Sequence, residues 1–474
     1  MSAFLEGLGA ALGRQGLLTD DADVAPYLTD FRGRMTGRAQ AVALPASAEE
    51  ASAIMRLASE HEVPVFPLGG NTGLCFGAVP TAGGNGATGI VVGMRRMNRI
   101  RNLDQAGNVI SVDAGVTLSA VHEAAADADR QFPLHLGSEG TAQIGGLIST
   151  NAGGTGVVRY GAMRSLVAGL EAVLADGRIL REMEALKKNN TGYELRQLFI
   201  GAEGTLGLIT GAALRLHPPI GARAHAWVSV SDPQAAVELL SRLQHRCGDA
   251  IEAFEMLNGA EVDCIRGHIP RVRSVFAETP AWSVMIELGD VDPNASLQAA
   301  LEEVLAEAME AGLVVDAVIA QSDGQAADIW RFRHAITEAH KIEGVGIVHD
   351  TAVRNSAVPA FIEAASEVTA QRFPDARVLV VSHLGDGNVH FTVMFSHAYW
   401  AALPDPEAKA LEVEMAIHDV AARHGGTISA EHGIGRKLVT ELERLGDPVR
   451  LAIMRDIKRT LDPKNLMNPG ALLA

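Results

Sequence analysis

From Ala41 to about Pro219 the chain repeats one motif: a short apolar or β-branched run, then a glycine-rich turn. Ala41-Val42-Ala43-Leu44, Val63-Pro64-Val65-Phe66, Gly89-Ile90-Val91-Val92 and Val109-Ile110-Ser111-Val112 read as strands, while Ala48–His61 and Leu118–Asp127 carry helical spacing. Residues 1–35 read as helical and partly capping. Composition shifts at Pro218-Pro219, a boundary signal. Beyond it, strand and helix alternate: Ala226–Val230, Pro233–His245, Trp282–Leu288, Ala295–Ala311. That order predicts a sheet with helices on one face, as in ferredoxin-like modules. Helix Ala408–Arg423 leads into a loop from Gly425 to Gly435, and a last helix, Val449–Thr460, stops at Asp462-Pro463. The expectation is an α+β protein divided at 1–220, 221–424 and 425–474.

Composition sharpens this picture in three ways. A chain of 474 residues has room for two or three domains at roughly 150 residues each. Its net charge of −17, with no basic stretch, argues against nucleic acid and acidic membrane surfaces. Three cysteines, Cys75, Cys247 and Cys264, show no CxxC spacing. They suit a reducing compartment and exclude a cysteine-ligated metal. Acidic charge at Glu6 stands where a signal peptide would be basic, and no apolar run nears the ~18 residues of a membrane span, so a cytoplasmic protein is expected. Gly7–Gly13 has the look of a dinucleotide fingerprint, but no strand precedes it and its last interval is one residue too long.

The densest candidate chemistry lies in His383-Leu384-Gly385-Asp386-Gly387-Asn388-Val389-His390. Asp386-Gly387 is a two-residue turn signal between strand-forming flanks, Val378–Val381 and Phe391–Phe395. A turn closed there sets His383 opposite His390, with both imidazoles on one face and able to grip one metal ion. Glu431 would complete a two-histidine, one-carboxylate set with positions open for substrate. The neighbouring His432 is then a candidate general base.

Two segments carry unusual backbone freedom: Pro67–Leu74, with Gly69, Gly70 and Gly73, and Gly137–Gly154, with six further glycines inside or at its ends. Successive glycines let backbone N–H groups converge on an anion such as a diphosphate. Neither segment, nor Gly201-Ala202-Glu203-Gly204-Thr205, carries the lysine of a Walker loop, which argues against nucleoside triphosphate hydrolysis.

Together Pro67–Leu74, Gly137–Gly154 and Gly201–Thr210 resemble the FAD-binding signature of vanillyl-alcohol-oxidase-type flavoproteins. His383–His390, Glu431-His432-Gly433 and Leu461-Asp462-Pro463…Asn468-Pro469-Gly470 narrow the resemblance to FAD-linked D-2-hydroxyacid dehydrogenases, a group acting on D-2-hydroxyglutarate, D-lactate or glycolate. It covers the chain from about Pro45 to Gly470. It implies an FAD-binding domain, a substrate-binding cap and a C-terminal segment packing back on the FAD domain. For the cofactor it implies Gly69, Gly70, Asn71, Thr72, Gly73 and Leu74 from the first loop. The second loop supplies Ser138, Thr141, Ile144, Gly145, Gly146, Asn151, Gly153 and Gly154. Glu203, Gly204, Ile209 and Asn468 complete the set. Asn71 stands where relatives with covalent FAD place a linking histidine, so non-covalent FAD is expected.

The reaction so implied takes a small D-2-hydroxy acid to its 2-oxo acid. A divalent metal on His383, His390 and Glu431 (zinc first, with manganese or iron also suited to the ligands) would polarise the hydroxyl. His432 would take its proton, and the C2 hydride would pass to flavin N5. In a helix read over Ala326–His340, Arg333 and Thr337 share a face and match the family's carboxylate-binding pair, with Arg331 pointing elsewhere. Two departures weigh against a second substrate carboxylate: Val348 stands where the family carries lysine, and Thr392 where dicarboxylate-acting relatives often carry an amide. Arg354 lies close enough in sequence to restore charge, and His349 reads as a core or supporting histidine. The electron acceptor (an electron-transfer flavoprotein, quinone or cytochrome) stays open, as does a homodimer. The rival reading is an FAD-dependent sugar or lactone oxidase that uses oxygen and needs no metal hairpin.

Overall fold

A computed structural model describes residues 2–83 and 86–473. The chain falls into two compact units. The first comprises Met1–Gly154, Tyr160–Pro219 and Glu431–Ala474, and the second Thr155–Arg159 and Ile220–Ala430. Residues Gly425–Ala430, expected to open the C-terminal segment, thus belong to the second unit.

In the first unit, β1 (Leu17–Leu18), β2 (Val42–Ala43), β3 (Val65–Leu68) and β4 (Ile90–Gly93) form a sheet in the order β1-β2-β4-β3. Helix Ala48–His61 crosses over between β2 and β3. Its start is written in the sequence: Ser47 Oγ accepts from the Glu50 amide at 3.1 Å, and Glu50 Oε2 accepts from the Ala46 amide at 2.8 Å. It buries Ala51, Ile54, Met55 and Ala58. Burial of Ile54 and Met55 stabilises by about 1.5–3 kcal/mol each. The free edge of β3 takes the end of the chain, with the Val65 amide donating to Leu466 O and the Asn468 amide to Val65 O, both at 2.8 Å.

A second sheet of this unit has the order β5-β6-β9-β7-β8, from β5 (Ile100–Asp104), β6 (Val109–Asp113), β7 (Val167–Val173), β8 (Ile179–Glu182) and β9 (Leu208–Arg215). Asp113, fully buried, accepts from Arg99 Nε at 2.9 Å and Arg101 Nε at 2.7 Å. Arg101 also donates to Glu171 at 2.8 Å. Burial alone would raise the Asp113 carboxyl, but the two arginines and the Arg99 amide hold it below the ordinary value.

The second unit is one seven-stranded sheet, every neighbouring pair antiparallel, in the order β13-β10-β12-β11-β15-β16-β14. Its strands are β10 (Ala222–Val230), β11 (Ile251–Asn258), β12 (Trp282–Asp290), β13 (Val314–Ile319), β14 (Val345–Ala352), β15 (Arg377–His383) and β16 (Asn388–Phe395). The first four follow the 4-1-3-2 order of a ferredoxin-like module; the last three extend it past β11. The expectation of helices on one face fails. Ala226, Val228 and Val230 join one core with helices Pro233–Cys247, Leu297–Glu310, Val358–Arg372 and Pro406–Arg423. Trp227, Leu257, Met285 and Val381 join another with Gly259–His268, Asp323–His334 and Ile336–Glu343. The strands alternate between two apolar faces, so each must be covered.

Candidate active site

A cleft in the first unit is built by the glycine loops. Its wall includes Gly69, Gly70, Asn71, Thr72 and Gly73 after β3, Gly145 and Gly146 at the start of helix Ile144–Ser149, and Glu203, Gly204, Ile209 and Asn468. His432 lines the same cleft. Glycine is needed at 70 because a Cβ there would stand 1.9 Å from Thr141 O. Asn71 sits in the left-handed region (φ 53°), and its side-chain amide donates to Thr29 O at 2.9 Å. The other expected cofactor residues, Leu74, Ser138, Thr141, Ile144, Asn151, Gly153 and Gly154, do not line this cleft. Ile144 is in the core, and Asn151 Oδ1 accepts from the Arg164 amide at 2.8 Å. Gln143, passed over in the sequence, does line it, and its Oε1 is buried without a hydrogen-bond partner. A glycine-walled cleft with an unsatisfied buried acceptor fits a large ligand carrying hydrogen-bond donors. FAD meets that description, with ring N–H and ribityl hydroxyl donors as well as a diphosphate.

The segment bearing His432 is fixed from within the same unit. Glu203 accepts from the amides of Ile434 (2.8 Å) and Gly435 (2.7 Å). Burial pushes its carboxyl up, against the pull of those amides and Arg436. Arg436 donates to Gly77 O at 2.6 Å and to Asn468 Oδ1 at 2.8 Å, and lies over the Phe66 ring. Asn468 in turn donates to the Gly77 and Glu203 carbonyls at 3.0 and 2.8 Å.

In the second unit the hairpin register differs from the sequence reading. His383 pairs with Asn388 and His390 with Val381, so Leu384–Gly387 forms a four-residue loop. The slip arises because Asn388 is claimed: its amide N–H donates to Asp386 Oδ1 (3.0 Å) and its side chain to Asp350 Oδ1 (3.0 Å) and Thr351 O (2.8 Å). The change of partner is by two residues, so both imidazoles keep one face. They meet diagonally, ring centroids 5.3 Å apart and interplanar angle 83°.

That face holds more than the two histidines. Glu255 on β11 stands directly opposite His383, and Asp350 on β14 directly opposite His390. The His383 Nδ1–H donates to Glu255 Oε1 at 2.6 Å; His390 Nδ1 lies 4.0 Å from Asp350 Oδ1. The result is a row across four adjacent strands: carboxylate, histidine, histidine, carboxylate. The Glu255 carboxylate on His383 Nδ1 leaves Nε2 as the nitrogen that ligates, the arrangement that orients histidine on a metal. The donor set therefore fits a divalent cation. Glu255 was not singled out in the sequence, although an acid between Phe254 and Met256 in a strand-forming segment, Ile251–Leu257, is a signal.

Arg333 donates from Nε to Glu255 Oε2 at 2.9 Å. Burial would raise the Glu255 carboxyl, but His383 and Arg333 outweigh it and hold it down to about 2. The single helix expected over Ala326–His340 is two, Asp323–His334 and Ile336–Glu343, broken at Ala335, so Arg333 and Thr337 do not share a helix. Arg333 is half-buried and Thr337 exposed; Arg331 is exposed and paired with Asp328. His349 lies in the core, with Nδ1 2.9 Å from Phe391 O. Val348 and Thr392 are a cross-strand pair on the histidine face, two residues beyond Asp350 and His390. Glu431 follows Ala430, whose amide donates to Asp350 O at 3.0 Å.

Among the described residues no helix is long and apolar enough to cross a membrane. A profile described as FAD linked oxidases, C-terminal domain, matches residues 221–472, and one described as FAD binding domain matches 39–182. The D-2-hydroxyglutarate dehydrogenase of Xanthomonas citri pv. viticola is 38% identical over 461 residues, covering 96% of this chain and 94% of that protein. The mitochondrial D-2-hydroxyglutarate dehydrogenase of Arabidopsis thaliana is 32% identical over 462 residues, covering 98% and 80%. Among solved structures, p-cresol methylhydroxylase with substrate bound superposes with a TM-score of 0.75 at 16% identity, covering 98% of this chain and 95% of that one. An alkyldihydroxyacetonephosphate synthase gives 0.72 at 17%, covering 98% and 84%. At such identities the structures speak for the fold alone, that of the vanillyl-alcohol-oxidase-type FAD enzymes.

Proposed function

Because the chain belongs to the family of FAD-linked D-2-hydroxyacid dehydrogenases, we propose that it oxidises a D-2-hydroxy acid by a metal-assisted route in which His432 is the base. The row Glu255–His383–His390–Asp350 is the observation that carries the metal reading. His383 and His390 supply two ligands, and Glu431 the third. Glu431 and His432 are neighbours in the chain, so third ligand and base arrive together. When bound, the metal supplies Lewis-acid polarisation of the substrate hydroxyl. FAD, when bound, supplies the two-electron acceptor for the C2 hydride.

The chain's own groups do the remainder. His432 accepts the hydroxyl proton at a ring nitrogen as the alkoxide forms. Arg333, with its Nε taken by Glu255, engages the substrate carboxylate through its two terminal amino groups, which suit a bidentate partner. Thr337 adds a hydroxyl donor to the same carboxylate. The glycine loops hold the diphosphate through backbone N–H groups, and Asn71 leaves FAD non-covalent. Val348 facing Thr392 favours a short or apolar substrate side chain over a second carboxylate, although the relatives named above are dehydrogenases of D-2-hydroxyglutarate.

The test is anaerobic bleaching of the bound flavin by D- and L-2-hydroxy acids, D-2-hydroxyglutarate and D-lactate included, before and after chelation. Bleaching by one D-acid, lost with chelator and restored by zinc or manganese, is expected. Bleaching that survives complete metal removal sinks the metal route and favours the oxygen-using oxidase. A clear preference for D-2-hydroxyglutarate overturns the reading of Val348 and Thr392.

A further inference from the structure

Glu255 is all but fully buried, at 1% exposure, in the middle of a seven-stranded sheet. A carboxylate there is costly unless both oxygens are engaged. They are, and by residues of different purpose. Oε1 takes the Nδ1–H of His383 at 2.6 Å, and Oε2 takes the Nε–H of Arg333 at 2.9 Å. His383 is reached because it stands opposite Glu255 in the β11–β15 register. Arg333 is reached because helix Asp323–His334 packs on that same face through Ile329 and Phe332.

We propose that Glu255 is a positioning residue that orients the metal-ligating His383 and the substrate-binding Arg333 with one carboxylate, coupling metal affinity to substrate affinity. The inference rests on the function proposed above. The Oε1 bond fixes the tautomer that presents His383 Nε2 as ligand. The Oε2 bond fixes the guanidinium plane and directs its remaining amino groups as a pair. Any shift of the carboxylate disturbs both, since its two oxygens are rigidly joined. Glu255 touches neither substrate nor flavin in this reading; it acts through its two partners.

The experiment uses metal-stripped holoenzyme carrying its FAD. Mn2+ binding is read from loss of the free-ion EPR signal in the unmodified chain, Glu255→Gln and Glu255→Asp. Flavin content and thermal melting check the fold of each. Expected is a Mn2+ affinity about 10–100-fold weaker in Glu255→Gln, together with a raised KM for the hydroxy acid at saturating Mn2+. Glu255→Asp keeps the charge but draws it back, and should lie between on both measures. If Glu255→Gln does not fold, Glu255→Asp decides by the same readings. Unchanged Mn2+ affinity in the folded variants, or a KM that does not move with it, overturns the coupling alone. Failure of the unmodified chain to bind Mn2+ overturns the metal reading and this inference together.

Discussion

Glu203 accepts a 2.7 Å hydrogen bond from the amide of Gly435, more than two hundred residues later in the chain. With its second bond to Ile434, it fixes the segment that starts at Glu431-His432 to the loop that walls the cofactor cleft. Hydrogen bonds to a charged group are worth about 1.5–3 kcal/mol each. Glu203→Ala should therefore release the His432 segment, slowing flavin reduction at least tenfold and weakening FAD retention. Glu203→Gln, which keeps one acceptor oxygen, should fall between. Stopped-flow reduction and FAD titration of the apoprotein read both; an alanine variant that reduces as fast as the parent refutes the tether.

His432→Gln tests the base directly. Loss of a positioned general base costs about 10²–10⁴ in rate. Flavin reduction by the best D-acid should slow within that range while the flavin spectrum stays unchanged. Reduction at the parent rate would remove His432 from the proton transfer.

The hairpin loop is the place to test the observed register. Gly387 has φ 83°, and a Cβ there would lie 2.1 Å from Val353 O. Gly387→Ala should cost about 1–3 kcal/mol or more in urea unfolding, since the loop must shift to admit a methyl group. A two-residue turn of the kind the sequence suggested also needs positive φ at Gly387. What separates the two registers is Asn388: Asn388→Ala should shift or loosen the pairing with His383, visible as lost amide protection along β16.

Asp113 carries an acid-sensitive part of the first unit's stability. Its folded carboxyl ionises below the ordinary aspartate value, held down by Arg99 and Arg101 against burial. The contribution is therefore complete above about pH 4 and is lost as pH falls through the lower folded value. Asp113→Asn should cost about 1.5–3 kcal/mol at neutral pH, because the buried acceptor loses its charge while Arg101 keeps Glu171 and Arg99 is exposed to solvent. Its melting temperature should then change less than the parent's below pH 4. Equal acid sensitivity in both would show that Asp113 is not the group titrating.

How much of this was legible beforehand depended on whether the signal was local. Helices Ala48–His61 and Leu118–Asp127 were read to the residue because Ser47 and Thr117 cap them with their own side chains. The glycine loops announced the cleft because close backbone approach admits nothing larger, as Gly70 shows. The break at Ala335 was not legible: Ile336 and Ala339 continue the apolar spacing of Ile329 and Phe332 across it. The hairpin register was missed because Asn388 is held by Asp350 and Thr351 on another strand, and turn chemistry knows nothing of that. Glu255 escaped notice because both its partners lie about eighty or more residues away.

The placement of Asn468 has a consequence for how the protein is made. The cleft takes one wall residue from a segment that emerges from the ribosome only after the whole second unit, and β3 gains its edge partner at the same moment. Domains otherwise fold in order of synthesis. Here the first unit must wait, its flavin wall incomplete and one strand edge bare, until the second unit has been made. Completion of the cofactor cleft thus follows the making of the second unit instead of preceding it.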